Sequence, residues 1–138
     1  MIKVTIYFFQ SILIYLFFLI GKILGLKLSR KFFSNLFCFL GPYFKSNKIT
    51  NENLNIFSDV VDNVDKDKIK NDMWKNYGMT FIEYIYLKNF RDNNNNVIVK
   101  DESSLQLIAQ DKKPVIFISG HFANFELMSM EITKKIFL

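Results

Sequence analysis

Cysteine and histidine each occur once in the 138 residues, and that scarcity removes whole classes of chemistry. Cys38 has no second thiol to pair with, so an intramolecular disulfide and a cysteine-built metal site are both excluded. With His121 as the sole imidazole, a zinc site would have to be assembled mostly from carboxylates, which is not the usual ligand set, and no metal is expected. Cys38 lies between Phe37 and Phe39 and reads as a small buried hydrophobe rather than a nucleophile. A nucleic-acid-reading motif is also missing. The net charge of +5 therefore argues poorly for DNA or RNA, and the basic residues cluster instead beside an apolar segment.

Charge is absent altogether from Val4 to Gly21. As a helix this stretch, rich in Ile, Leu, Phe and Tyr, would extend about 27 Å, close to a hydrocarbon core of about 30 Å. Residues 1–26 are expected to form a single membrane anchor helix. Lys22, Lys27, Arg30 and Lys31 follow without the small-residue cleavage site of a signal peptide. A re-entrant or surface-lying helix is the alternative, because the length is marginal. The basic flank after the apolar run, against Lys3 before it, puts the bulk of the chain in the cytoplasm by the positive-inside tendency.

From Leu28 to Phe44, Arg30 and Lys31 are interleaved with Phe32, Phe33, Leu36, Phe37, Phe39, Leu40, Tyr43 and Phe44, and Lys45 follows. That composition suits a membrane surface, where cations meet anionic headgroups, and it equally suits an ordinary core helix. Further on, Leu54, Phe57, Val60 or Val61, and Val64 recur at helical spacing, as do Ile69, Met73, Tyr77, Phe81 and Tyr84. Both stripes predict packing faces. Glu83 is a carboxylate inside the second apolar stretch, expected to be solvated or salt-bridged, and Asn93 to Asn96 reads as a loop.

Val97–Val99 then reads as a short strand, Ser103 or Ser104 through Ala109 as a helix, and Val115–Ile118 as a second strand before a further helix. Strand, helix, strand, helix predicts an α/β fold. Two strands do not make a covered parallel sheet, so the sheet is expected to be incomplete and residues 27–138 to be the N-terminal part of a longer domain.

His121 leaves that second strand five residues ahead of Glu126. Imidazole can accept and return a proton near neutrality, which makes it the candidate general base. On one continuous helix the two side chains would point about 140° apart, so a bend must separate them. Gly120 offers conformational freedom before the histidine, and Asn124 is a favoured N-cap for a helix beginning at Phe125. Glu126 would sit in the first turn, able to fix the tautomer of His121 while backbone N–H groups meet an oxyanion. First-turn capping by a glutamate and a packed or solvated histidine are the ordinary alternative.

The run Pro114-Val-Ile-Phe-Ile-Ser-Gly-His-Phe-Ala-Asn-Phe-Glu-Leu127, with an apolar N-terminal helix and a helical stretch ending near Glu83, resembles the bacterial late acyltransferases of lipid A biosynthesis, the lauroyl/myristoyl transferase family. The resemblance covers essentially the whole chain. That family carries His-x4-Asp/Glu in a Gly-His-x-x-Asn-aromatic-Glu setting, matched by Gly120, His121, Asn124, Phe125 and Glu126. Broader glycerolipid acyltransferases usually place asparagine before the histidine and use aspartate, unlike Gly120 and Glu126 here.

The resemblance implies an incomplete glycerolipid-acyltransferase-like α/β domain and transfer of a fatty acyl group from acyl carrier protein to a hydroxyl of a lipid A precursor. It implies work at the cytoplasmic face of the inner membrane, against membrane lipids and without nucleic acid. His121 would be the base and Glu126 its orienting partner, with Gly120 and Asn124 shaping the loop and helix start at the substrate. No cofactor is implied, since a thioester is already activated. The family's later arginine and Asp-Gln motifs have no counterpart in these residues. A glycerolipid or ornithine-lipid acyltransferase, a noncatalytic membrane-anchored binding protein, and an inactive fragment are the rival readings.

Overall fold

The computed structural model describes residues 2–44, 47–61, 63, 65–93, 97–111, 113–120 and 123–136. The chain divides into two compact units, Met1–Glu83 and Tyr84–Leu138.

In the first unit, α1 (Ile2–Phe44) is long and apolar enough to cross a membrane. It is interrupted at Gly25, whose φ of 72° and ψ of 165° lie in a region essentially reserved for glycine. The interruption reverses the chain. Phe17 and Phe33 would be about 24 Å apart on a straight helix, yet their ring centroids are 5.5 Å apart. The two limbs of α1 therefore fold back on one another about Gly25, with Gly21 and Ser29 buried on either side of the bend. Much of the first limb remains uncovered: Tyr7, Phe8, Phe9 and Tyr15 are exposed, and Ile23 is 76% exposed.

After α2 (Asn47–Ser58) the chain enters α3 (Lys66–Glu83), started by Asp65, whose carboxylate accepts the Lys68 N–H at 2.9 Å in the manner of an N-cap. The apolar stripe from Ile69 to Phe81 lies on α3 as its spacing predicts, whereas Val60 and Val61 fall in the turn after α2. Phe81 is the hub of the interior, with the rings of Phe17, Phe18, Phe33 and Phe37 at centroid distances of 6.2, 5.3, 5.8 and 5.3 Å. Gly78 permits this approach. A Cβ there would land on the backbone carbonyl of Phe33, so α3 touches the main chain of α1 directly. Glu83 is salt-bridged, its Oε1 2.9 Å from Nε of Arg30 on the second limb of α1.

The second unit begins with a 3-10 turn over Tyr84–Tyr86 and continues through α4 (Leu87–Asp92), α5 (Glu102–Asp111) and α6 (Glu126–Ile136). Two consecutive lysines tether α6 in different directions. Lys134 Nζ donates to the Arg91 carbonyl of α4 at 2.8 Å, and Lys135 Nζ lies 3.0 Å from Glu102 Oε1 of α5. Asp101 starts α5. Its two carboxylate oxygens each accept a serine hydroxyl at 2.6 Å, from Ser103 and Ser104, and its φ of 63° turns the chain into the helix. Those hydroxyls, Ser103 before Ser104, hold the Asp101 carboxyl below the usual aspartate value.

The α/β expectation is overturned: among the described residues there is no strand, and the elements are helical. Val97–Val99 and Val115–Ile118 join no ladder. They nevertheless alternate as a strand's side chains would, with Ile116 and Ile118 at 88% and 93% exposed against Val115 and Phe117 at 43% and 40%. β-branched alternation reports which side chains are covered, but a strand also needs a backbone partner. Two such short segments cannot supply a sheet by themselves.

Candidate functional site

Of the residues singled out by the histidine motif, Asn124 and Glu126 lie at the start of α6. His121 itself, with Phe122, lies outside the described residues. Gly120 is exposed, and its carbonyl accepts the Ser119 hydroxyl at 3.1 Å. Ala123 has a φ of 48°, in the left-handed region that alanine adopts only at a cost of about 1–2 kcal/mol. Asn124 is buried, at 9% exposure, and its carbonyl accepts the Leu127 N–H at 3.2 Å. The Phe125 carbonyl accepts the Met128 N–H at 3.1 Å, so the chain closes into α6 over these two residues.

Glu126 occupies the first turn of α6 and is half-buried. Negative charge is favourable there because the first-turn N–H groups point toward it. The helix begins one residue later than its sequence suggests, and Asn124 contributes its backbone carbonyl to the first turn.

Glu126 opens into a groove of about 460 Å³ between α4 and α6. Its walls carry Lys88 and Arg91 from α4, and Glu126, Ser129, Thr133 and Lys134 from α6. Of these residues the sequence motif marks Glu126 alone. Lys88 and Arg91 are three apart on one helix and so share a face, and Lys134 follows Glu126 by eight residues, again on one face. Those spacings were available, but nothing in one dimension joins residue 88 to residue 134.

The other side of α6 faces a second cleft of about 510 Å³, where Leu127, Met128 and Ile132 meet Val97, Val99 and Phe117. Glu131 is buried on that wall at 6% exposure. Helix α6 thus separates a groove that carries Glu126, Lys88, Arg91 and Lys134 on its walls from the cleft lined by Leu127, Met128 and Ile132. Among the described residues no group of three or more His, Cys, Asp or Glu side chains is arranged to hold a metal. Cys38 is half-buried with Sγ 3.8 Å from Asn71 Oδ1, on the first unit.

Among curated proteins and among solved structures nothing matches the chain. The sequence profile of the family described as bacterial lipid A biosynthesis acyltransferase matches residues 2–136. That match takes in the apolar helix, the Phe81 core and the Gly120–Glu126 segment alike, and this chain belongs to the bacterial lipid A biosynthesis acyltransferase family.

Proposed function

We propose that the protein moves a fatty acyl group from an acyl carrier protein thioester to a hydroxyl of a lipid A precursor, at the cytoplasmic face of the inner membrane. The observation that carries this reading is the family match across residues 2–136. The half-buried Glu126 at a groove wall, in the first turn of a helix that follows the histidine segment, supports the assignment of roles. His121 takes the proton of the acceptor hydroxyl as its oxygen attacks the thioester carbonyl. The tetrahedral intermediate collapses by expelling the carrier thiolate, and the imidazolium returns the proton to that sulfur. Glu126 accepts a hydrogen bond from the other imidazole nitrogen and keeps the tautomer. Gly120 and Asn124 shape the turn that brings the two groups to one place.

The exposed apolar limb of α1 supports a membrane location. Side chains such as Tyr7, Phe8 and Ile23 would order water if left bare, and a lipid phase removes that penalty. An enzyme held at the bilayer meets a lipid acceptor where the acceptor resides.

Mass spectrometry of lipid A from cells with and without the intact gene tests the reaction. The expected result is loss of the mass of one acyl chain on deletion, and unchanged lipid A with a loss in phospholipid or ornithine-lipid acylation would overturn the choice of acceptor. His121→Ala in the intact protein is expected to lower turnover by on the order of 10²-fold or more, and Glu126→Ala to damage it while membrane insertion persists. Near-normal acyl transfer by either variant would sink the dyad.

A further inference from the structure

Glu131 is a carboxylate that the acyl-transfer chemistry does not use, and on α6 it is only 6% exposed. Its Oε1 has no hydrogen-bond partner among the described residues. A carboxylate oxygen taken out of water without a donor is costly, and such groups are rare in folded chains. The charges around it are engaged elsewhere. Lys135 follows by four residues, on the same face of α6, but its Nζ lies 3.0 Å from Glu102 Oε1 on α5. The Asp101 carboxylate takes the hydroxyls of Ser103 and Ser104, each at 2.6 Å. Lys100 is exposed, and no ion pair joins it to Glu131. Glu131 lines a hollow of about 250 Å³ shared with Val97, Val99, Glu102 and Lys135, and also the cleft of about 510 Å³ that carries Leu105, Phe117, Leu127 and Ile132. The larger volume falls within the range of about 300–1,000 Å³ common to small-molecule sites.

We infer that the cleft on the Glu131 side of α6 is a binding site for an amphiphile with a primary ammonium group, its nitrogen at Glu131 and its apolar chain against Phe117, Leu127 and Ile132. The inference does not depend on acyl transfer, whose thioester donor and hydroxyl acceptor need no cation. An ammonium brings a positive charge and three N–H donors, so it satisfies Oε1 and offsets the carboxylate's charge together. An alcohol would supply one hydrogen bond and leave the charge unmatched. A fatty acid would set a second negative charge beside the first. A metal ion gains nothing from the apolar wall, and among the described residues no group of three or more His, Cys, Asp or Glu side chains is arranged to hold one.

The test is equilibrium binding of octylamine, octanol and octanoate to the intact protein held in amphipol, with protein-free amphipol subtracted. Octylamine, a cation at neutral pH, should bind about 10-fold or more tightly than octanol, and octanoate should bind most weakly. Glu131→Gln keeps the size of the side chain and should leave helical circular dichroism unchanged while bringing octylamine down to the level of octanol. Glu102→Gln frees Lys135, whose ammonium can then turn to Glu131 on its own helix, so octylamine affinity should fall. Glu102→Gln/Lys135→Gln removes that pair at constant net charge and should bind octylamine as wild type does, which separates occupation of Glu131 from a general effect of charge. Spermidine, a polyamine without a free alkyl chain, should bind weakly. Dioctanoyl phosphatidylethanolamine against dioctanoyl phosphatidylglycerol distinguishes the sources of the ammonium. A Glu131-dependent preference for the ethanolamine lipid supports the site with a lipid headgroup as its ligand, and octylamine binding without that preference supports it with a free amine. Octylamine bound no more tightly than octanol, bound equally by Glu131→Gln, or matched by spermidine would overturn the assignment.

Discussion

Rings of Phe17, Phe18, Phe33 and Phe37 gather around Phe81 in the first unit, whereas in the second unit, among the described residues, Phe90 alone of the apolar side chains is buried. The second unit is joined instead by polar contacts: Lys134 to the Arg91 carbonyl, Lys135 to Glu102, Asp101 to two serines. Aromatic pairs contribute about 0.5–1.5 kcal/mol each beyond their burial, while exposed ion pairs contribute about 0–1 kcal/mol. The unit with the deeper packing carries none of the motif, and the unit with the motif is packed more lightly. A unit built on volume and a unit built on charge should respond to different perturbations, and that contrast can be broken experimentally.

The largest effect should follow a change of volume in the first unit. Gly78→Val would drive a branched side chain into the Phe33 backbone, next to Ile82, which is fully buried. A backbone cannot rotate aside as a side chain can, so the helices must separate and the Phe81 cluster with them. The expected loss is about 3 kcal/mol or more, read as a lowered midpoint for thermal loss of helical circular dichroism in detergent. A midpoint within a few degrees of wild type would show that α1 and α3 do not depend on this contact.

How far the sequence carried the reading depends on which kind of interaction was asked for. The absence of charge from Val4 to Gly21 signalled a long apolar helix, and the stripe from Ile69 to Phe81 signalled a packing face, because both depend only on periodicity within one element. The reversal at Gly25 was hidden, since apolar residues continue on both sides and one glycine does not reveal its φ. The strands failed for a related reason: Val115–Ile118 has a strand's alternation, but pairing is a relation to another segment. At the site, the Gly120–Glu126 motif was legible because its parts are neighbours in sequence. Lys88 and Arg91 share a groove with Glu126 only through the folding of α4 against α6, and the left-handed φ of Ala123 gave no warning in the sequence.

An intermediate effect should come from Arg30, which brings charge into the volume-built unit. The Glu83 side chain is 9% exposed and the Arg30 side chain 47%, so the pair is buried on one side only. Arg30→Met leaves a nearly buried carboxylate without this cation, at an expected cost of about 1–3 kcal/mol, less than for a fully buried pair because water reaches the arginine end. Arg30→Met combined with Glu83→Leu should recover much of that loss, since the nearly buried charge is then gone. The same midpoint measures both, and a double variant no better than Arg30→Met would mean that the first unit depends on the ion pair itself rather than on avoiding a buried charge.

The smallest effect belongs to the second unit and appears as a dependence on pH. The Ser103 and Ser104 hydroxyls lower the folded-state pKa of Asp101, so ionisation of its carboxyl favours the folded start of α5. For a depressed carboxyl, the added stability is present above the unfolded value of about 3.9 and disappears as pH falls through the lower folded value. Amide exchange over α5 should therefore accelerate as the pH is taken down through this range, after correction for intrinsic rates. Asp101→Ala should exchange faster at neutral pH and show a flatter profile, because the group that titrates and accepts the two hydroxyls has been removed. Ala is also disfavoured at the φ of 63° that Asp101 adopts, so Asp101→Asn is the cleaner partner. Asparagine keeps an acceptor and tolerates the left-handed turn while losing the ionisation, so its α5 should remain formed with the acid-dependent step abolished. If Asp101→Asn keeps the wild-type pH profile, the charge at the head of α5 is not what ties this lightly packed unit to pH.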